Sequence, residues 1–454
     1  MNSNLSSNYL VENKKNTYSF NILNQIDVSV TVQENHYNIP LNRLFKMAAR
    51  VNKKRSFLFV SKILGKHLPV SPVISLLAGS ALAARYMEVM YEEVHPYKET
   101  IVDAVINDEC TDEIFQLVQQ SAFHLPKETL FIGFAETATA LGHSMFNHFT
   151  NAKYMHTTRE DITELSSVIN FEEEHSHATA HRCYVSEDYF KNDYPVVLVD
   201  DEITTGKTTL NIIESIQKVF PRKEYVITSI LDWRSEENIR KFKQLEEKLG
   251  ITIHAISLMS GAMKAQGEPL LESVQDDTEE NSIKTVTTEN INIQPMETIC
   301  GYLPYTGRFG LCSEEKEYID QFITNTANKL MEKRSGKRTL CLGTGEFMYL
   351  PMRIAAQMGS GVYFQSTTRS PIHSSGEDGY AINNKFAYPS LEDSNVMNYF
   401  YNVPSGFYDE VFLFLERDMP SGRLLPLVEQ LQKVFPKINI VRFQNEEGVY
   451  GENS

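Results

Sequence analysis

Residues 196–209 read VVLVDDEITTGKTT, and they constrain the fold more than any other stretch. The unbroken apolar run over 195–199 is the pattern of a strand buried on both faces, as in a parallel sheet covered by helices. Two adjacent acids, Asp200 and Asp201, close it. A short turn through Thr204, Thr205 and Gly206 follows, and Leu210, Ile213, Ile216 and Val219 then share one face of a helix over 207–220. Backbone N–H groups at a helix start, a glycine that permits close approach and the hydroxyls of Thr204, Thr205 and Thr208 form a cradle for a phosphate dianion. Lys207 stands beside it. Two carboxylates just before such a cradle are placed to hold vicinal sugar hydroxyls, so the combination reads as a ribose 5-phosphate site. A P-loop, G-x-x-x-x-G-K-[ST], needs glycine where Asp201 stands, and a capped helix after a core strand does not account for both acids and three threonines.

The surroundings repeat the strand–helix alternation. Strands are expected at 129–134, 152–156, 225–231 and 251–258, with helices at 138–149 and 237–249 between them, which argues for a parallel sheet with ligands at the carboxyl ends of its strands. Upstream, 28–32 alternates like an edge strand and 75–91 has helical spacing. The polar, acidic stretch 272–295 reads as a linker. The chain of 454 residues then divides into a unit over 1–271 (a hood over about 1–125 and a core over about 126–260) and a unit over 296–454, within the range of about two to four domains for this length.

The motif at 196–209 resembles the 5-phosphoribosyl-1-pyrophosphate (PRPP) signature of type I, orotate-like phosphoribosyltransferases. The resemblance implies that Asp200 and Asp201 bind the ribose hydroxyls and that Thr204, Thr205, Gly206, Lys207 and Thr208 bind the 5-phosphate. It also implies that FAETA at 134–138, with Ala135, Glu136 and Thr137, forms a pyrophosphate loop, assisted by Arg159. A mobile loop over 160–182 would close on the leaving group. That loop departs from the family pattern, because it holds no lysine and carries Glu172, Glu173 and Glu174. Its candidate cations are Arg159, His175, His177, His181 and Arg182, with His177 the catalytic candidate. Leaving-group contact and a solvated loop both stay open for the histidines, and a metal pair at His177 and His181 ranks last.

KRSFLFVSKILGKHLPV at 54–70 and SILDWR at 229–234 look like the PRPP transferases associated with tellurium-resistance-type stress gene clusters. Their companion domain is named for a Thr-Arg-Ser-Pro signature, matched here by Thr368, Arg369, Ser370 and Pro371. The resemblance implies a pentosyl-transferring enzyme that takes PRPP with Mg2+, with no metal held directly by protein ligands, and a base-like acceptor. The acceptor pocket would lie under the hood near Asp232, Trp233 and Arg234, with Trp233 stacking on the acceptor or anchoring a loop.

The chain also echoes itself. Residues 129–159 align without gaps on 339–369, a shift of 339 − 129 = 210, with identities that include Gly133/Gly343, Glu136/Glu346, Thr158/Thr368 and Arg159/Arg369. A second apolar strand with acids and a turn, YDEVFLFLERDMPSGRL at 408–424, keeps Glu416, Asp418 and Gly422 but not the threonine cradle. The expectation is two three-layer α/β parallel-sheet domains, the second a diverged phosphoribosyltransferase-like fold that has lost PRPP and in which Glu346 and Arg369 hold another ligand.

Composition narrows the partners. A net charge of −16 is a poor match for nucleic acid or an anionic membrane. The apolar stretch 70–84 is too short to span a bilayer, no signal peptide is evident, and five scattered cysteines fit a reducing cytoplasm. A homodimer is compatible with the pattern. A PRPP-sensing regulator without turnover is the alternative function, and a PRPP-synthetase-like pairing lacks an ATP site.

Overall fold

The apolar run at 196–199 forms the middle of a sheet, and its four valine and leucine side chains are fully buried. The computed structural model describes residues 11–14, 16–51, 55–172, 180–268 and 285–444. In the first unit, strands β1 (Phe123–Gly133), β2 (Phe149–His156), β3 (Val196–Ile203), β4 (Glu224–Asp232) and β5 (Thr252–Gly267) lie parallel in the order β5-β4-β3-β1-β2. The hood widens this sheet: Ile26–Asn35 pairs antiparallel with the far half of β5, and Thr17–Ile22 follows it. A separate hood hairpin, Phe45–Ala49 with Phe57–Ser61, leans over the carboxyl ends of the core strands.

Helix α1 (Pro72–Tyr91) starts with proline in its first turn, where the missing N–H costs nothing, and stops at Glu92 in the left-handed region. At twenty residues it is long and apolar enough in composition to cross a membrane, contrary to the reading of 70–84 as too short, yet 72% of its apolar window is buried within the protein. It packs on α2 (Ala138–Phe146) and also reaches the second unit. Helix α3 (Lys207–Val219) buries Ile212, Ile213 and Ile216 and exposes Val219.

The second unit has the same strand order. β6 (Thr287–Ile293), β7 (Thr339–Gly343), β8 (Val362–Ser366), β9 (Glu410–Leu415) and β10 (Lys437–Phe443) lie parallel as β6-β10-β9-β7-β8, with helices α4 (Tyr349–Ala355) after β7 and α5 (Ser421–Gln432) after β9. Strand for strand this matches β5-β4-β3-β1-β2, except that the edge strand next to β10 comes from the start of the unit rather than its end. β6 therefore corrects the linker reading: seven of the residues at 272–295 are a sheet strand, and the second unit begins at Thr287.

A further difference concerns separation. One apolar core runs through both units, and His143 on α2 stacks on Tyr349 of α4 with ring centroids 3.6 Å apart. The linker does not keep the halves apart.

Candidate functional site

A cleft of about 1050 Å³, including its mouth, opens at the carboxyl ends of β1 and β3. Asp200, Asp201, Thr204, Thr205, Gly206, Lys207 and Thr208 form one wall, and Ala135, Glu136, Thr137 and Arg159 form another. The sequence motifs thus meet in one place. Gly206, with φ of +71°, caps α3 in the left-handed region, and a Cβ there would sit 2.5 Å from the Phe242 ring, so the cradle loop is pressed against the α/β body as only glycine permits.

The acid pair is electrostatically unsettled. Burial and the adjacent Asp201 carboxylate push Asp200 well above the usual carboxylate range, and burial raises Asp201 as well. The next acid, Glu202, takes the guanidinium of Arg55. Two half-buried carboxyls side by side suit a ligand that brings hydroxyl donors or a divalent cation. Among the described residues no cluster of three His, Cys, Asp or Glu side chains is placed to hold a metal ion.

Several cleft residues had no role in the sequence reading. The hood supplies Arg50, Arg55, Leu58, Phe59, Lys66 and His67, and the second unit supplies Thr368 and Ser370. With Arg159 and Lys207, five cationic side chains line a cleft in an acidic protein. The stretch 54–70 carried a family likeness but no local chemical signature, because these residues reach the cleft only through tertiary packing. His67 is buried, and burial together with Lys66 lowers its pKa to about 3, so it is a neutral imidazole. Of the loop histidines, His181 lines the cleft and bonds Thr157 Oγ1 through Nδ1 at 2.9 Å. His175, His177, Glu173 and Glu174 lie outside the described residues.

The acceptor-pocket expectation at 232–234 needs correction. Trp233 is 2% exposed and packs in the core, stacked on Phe59 at 6.0 Å, so it serves as an anchor beneath the hood wall. Arg234 is tied to the Asp232 carboxylate at 2.7–3.1 Å and lies 4.5 Å over the Phe242 ring. None of the three lines the cleft. Arg234 lies behind the cradle, over the Phe242 ring that a side chain at 206 would strike.

Glu136, Glu346 and Arg369 also differ from expectation. Glu136 pairs with Lys66 at 3.1 Å and Arg159 at 3.2 Å, and it accepts from Thr368 Oγ1 at 2.9 Å and the Arg369 amide at 3.3 Å. Burial alone would raise its pKa, but Lys66, Arg159 and Arg369 hold it well below the usual range. Glu346 accepts from Thr158 Oγ1 at 2.6 Å and the Arg159 amide at 2.8 Å, and pairs with Arg308 at 3.0 Å. Against its burial, Arg308 and these donors bring its pKa down to about 2. These residues join the two units rather than forming a ligand site in the second.

Two family models match the chain: one described as phosphoribosyl transferase over residues 44–262, and one described as the TRSP domain C-terminal to it over 305–431. No curated protein matches significantly. Similar solved structures include adenine phosphoribosyl transferase from Trypanosoma brucei (16% identity, 29% of this chain and 57% of that chain, TM-score 0.22). Others are adenine phosphoribosyltransferase from Saccharomyces cerevisiae (12%, 41% and 78%, TM-score 0.23) and a hypoxanthine phosphoribosyltransferase from Staphylococcus aureus (10%, 38% and 69%, TM-score 0.20). The chain spans little more than half the length of the trypanosomal protein. With the signature of 196–209 at the mouth of a parallel sheet and both models matched in order, the chain carries a phosphoribosyl transferase domain over 44–262 followed by a TRSP domain over 305–431.

Proposed function

We propose that the cleft binds PRPP with Mg2+ and transfers its ribose 5-phosphate to the nitrogen of a base-like acceptor, releasing pyrophosphate. The observation that carries this reading is the convergence of the acid pair, the threonine cradle and the 134–138 loop with its flanking cations Lys66 and Arg159 on one cleft. The cradle at 204–208 would hold the 5-phosphate through N–H groups and hydroxyls, and Asp200 and Asp201 would accept hydrogen bonds from the ribose 2- and 3-hydroxyls. Lys66 and Arg159 would face the pyrophosphate. Mg2+ brought with PRPP would neutralise part of the pyrophosphate charge, and Asp200 and Asp201 are the residues placed to meet it.

The chemistry needs positioning more than a protein nucleophile. The C1–O bond breaks with its electron pair leaving on pyrophosphate. The acceptor nitrogen forms the C1–N bond from the opposite face, and the proton it sheds leaves to solvent. Cations already fixed around the leaving group stabilise charge that develops in the transition state. Leu58 and Phe59 of the hood give the acceptor an apolar wall, which the 232–234 segment does not. The link to a stress or tellurium-resistance pathway belongs to this reading through the likeness of 54–70 and 229–234 alone.

Screening the full chain for PRPP-dependent pyrophosphate release across purine, pyrimidine and related nitrogen bases tests the proposal. Release with one acceptor, lost in Asp200→Asn/Asp201→Asn, is expected. PRPP binding without release from any acceptor would favour the PRPP-sensing regulator instead.

A further inference from the structure

We infer that the second unit is a built-in partner subunit that completes the PRPP cleft, with Thr368 as a positioning residue for the pyrophosphate loop. This rests on the function proposed above. The two units repeat each other at a spacing of 210 residues down to single hydrogen bonds. Ala135 N donates to Thr157 Oγ1 at 3.0 Å, and Gly345 N donates to Thr367 Oγ1 at 3.0 Å. The Thr157 amide reaches Gly133 O at 2.9 Å, and the Thr367 amide reaches Gly343 O at 3.0 Å. In each unit the threonine that follows also bridges to an antiparallel hairpin, Thr158 to Arg182 and Thr368 to Tyr399.

The contacts between the units are reciprocal in the same register. Glu136 of the first unit receives a hydroxyl and an amide from Thr368 and Arg369, and Glu346 of the second receives a hydroxyl and an amide from Thr158 and Arg159, on the same carboxylate oxygens. Equal folds that exchange equal contacts form an isologous pair, the relation found in two-fold symmetric dimers. Here that pair lies within one chain.

The symmetry breaks at the ligand sites. Where the first unit has its open cleft, the second holds Arg308, which is 1% exposed and pairs with Glu416 at 2.7 Å, Glu346 at 3.0 Å and Glu160 at 3.2 Å. About 260 Å³ of space is left beside it, against about 1050 Å³ in the first. With this smaller space at the equivalent strand ends among its described residues, the second unit acts on the other one. A carboxylate in a pyrophosphate loop repels the leaving group unless it is held and its charge is met by cations. Thr368 and the Arg369 amide each hold one oxygen of Glu136, and the same oxygens pair with Lys66 and Arg159, so the second unit fixes the carboxylate that meets these two cations and sets their place at the cleft wall. The same signature grips the hood: Val51 N donates to Pro371 O at 3.1 Å and His373 N to Ala49 O at 3.0 Å. Without the Thr368 hydroxyl, Glu136 Oε2 loses the donor that fixes it, and Lys66, which pairs with that oxygen, loses its set position toward pyrophosphate.

Titrating Mg2+ and PRPP calorimetrically into the full-length wild type, Thr368→Val, Thr368→Ser and Glu416→Gln, with thermal melts of each, tests this. Thr368→Val is expected to melt cooperatively and bind PRPP about ten-fold more weakly, the scale of one charge-assisted hydrogen bond. Thr368→Ser should recover wild-type affinity, and Glu416→Gln should stay within about two-fold because it touches only the filled site. A folded Thr368→Val that binds like wild type, or a Thr368→Ser as weak as the valine, overturns the positioning role alone. Absence of wild-type binding overturns the proposed function and the positioning role with it.

Discussion

The Thr368 hydroxyl donates to the Glu136 carboxylate across the boundary between the two units at 2.9 Å. Because its cations hold Glu136 below the usual range, this contact contributes its full stability above the ordinary 4.5 and loses it only as pH falls toward the depressed folded value. The clasp is therefore insensitive to pH near neutrality. The pH-sensitive element of the cleft is the acid pair.

Asp200 is raised above its ordinary 3.8, so over the window between that value and its folded-state value the native protein binds a proton that the unfolded chain has lost. Stability of the ligand-free protein then falls as pH rises through this window, by at most about 1.4 kcal/mol per pH unit for one proton. Asp200→Asn removes that slope. Chemical denaturation of wild type and variant from pH 4 upward should show the variant gaining relative stability with pH, and parallel curves would refute the strained pair.

Gly206→Ala should weaken both fold and cradle. The new Cβ meets Phe242 at 2.5 Å in a backbone with φ of +71°, and such strain costs on the order of 1–3 kcal/mol. A lower melting temperature and weakened binding of ribose 5-phosphate are the expected pair of results.

Arg308→Ala should be the most destabilising single change among those considered. It strands the carboxylates of Glu160, Glu346 and Glu416 around a buried void, and breaking a buried ion pair from one side costs about 3–5 kcal/mol. Urea denaturation reads this directly, and a loss under 1 kcal/mol would contradict the account of the filled site (the order of a surface pair).

Trp233 is the single tryptophan, and at 2% exposure it gives a clean reporter. Its emission should be blue-shifted and poorly quenched by acrylamide, and Trp233→Phe should leave PRPP affinity within about two-fold. Strong quenching by acrylamide would place the indole in the cleft after all.

The sequence showed most of the architecture where local chemistry and burial coincide. The run 195–199 is buried on both faces, so its pattern is a strand and nothing else. The stretch at 287–293 was missed because it is an edge strand in which only Ile291 and Ile293 are buried, too little apolar signal to separate it from a linker. The 210-residue echo correctly marked Glu136, Glu346, Thr158 and Thr368 as special, but a single chain's spacing does not say whether such residues meet a ligand or each other. Lys66, Arg55 and His67 were illegible as site residues, since only the packing of the hood brings them to the cleft.

The most direct test of the whole account is the stoichiometry of Mg2+-dependent PRPP binding to the full chain by calorimetry. One site per chain, abolished or weakened about 100-fold in Asp200→Asn/Asp201→Asn, is the predicted result. No binding at all would contradict the proposed function, and two equivalent sites per chain would contradict the filled second site.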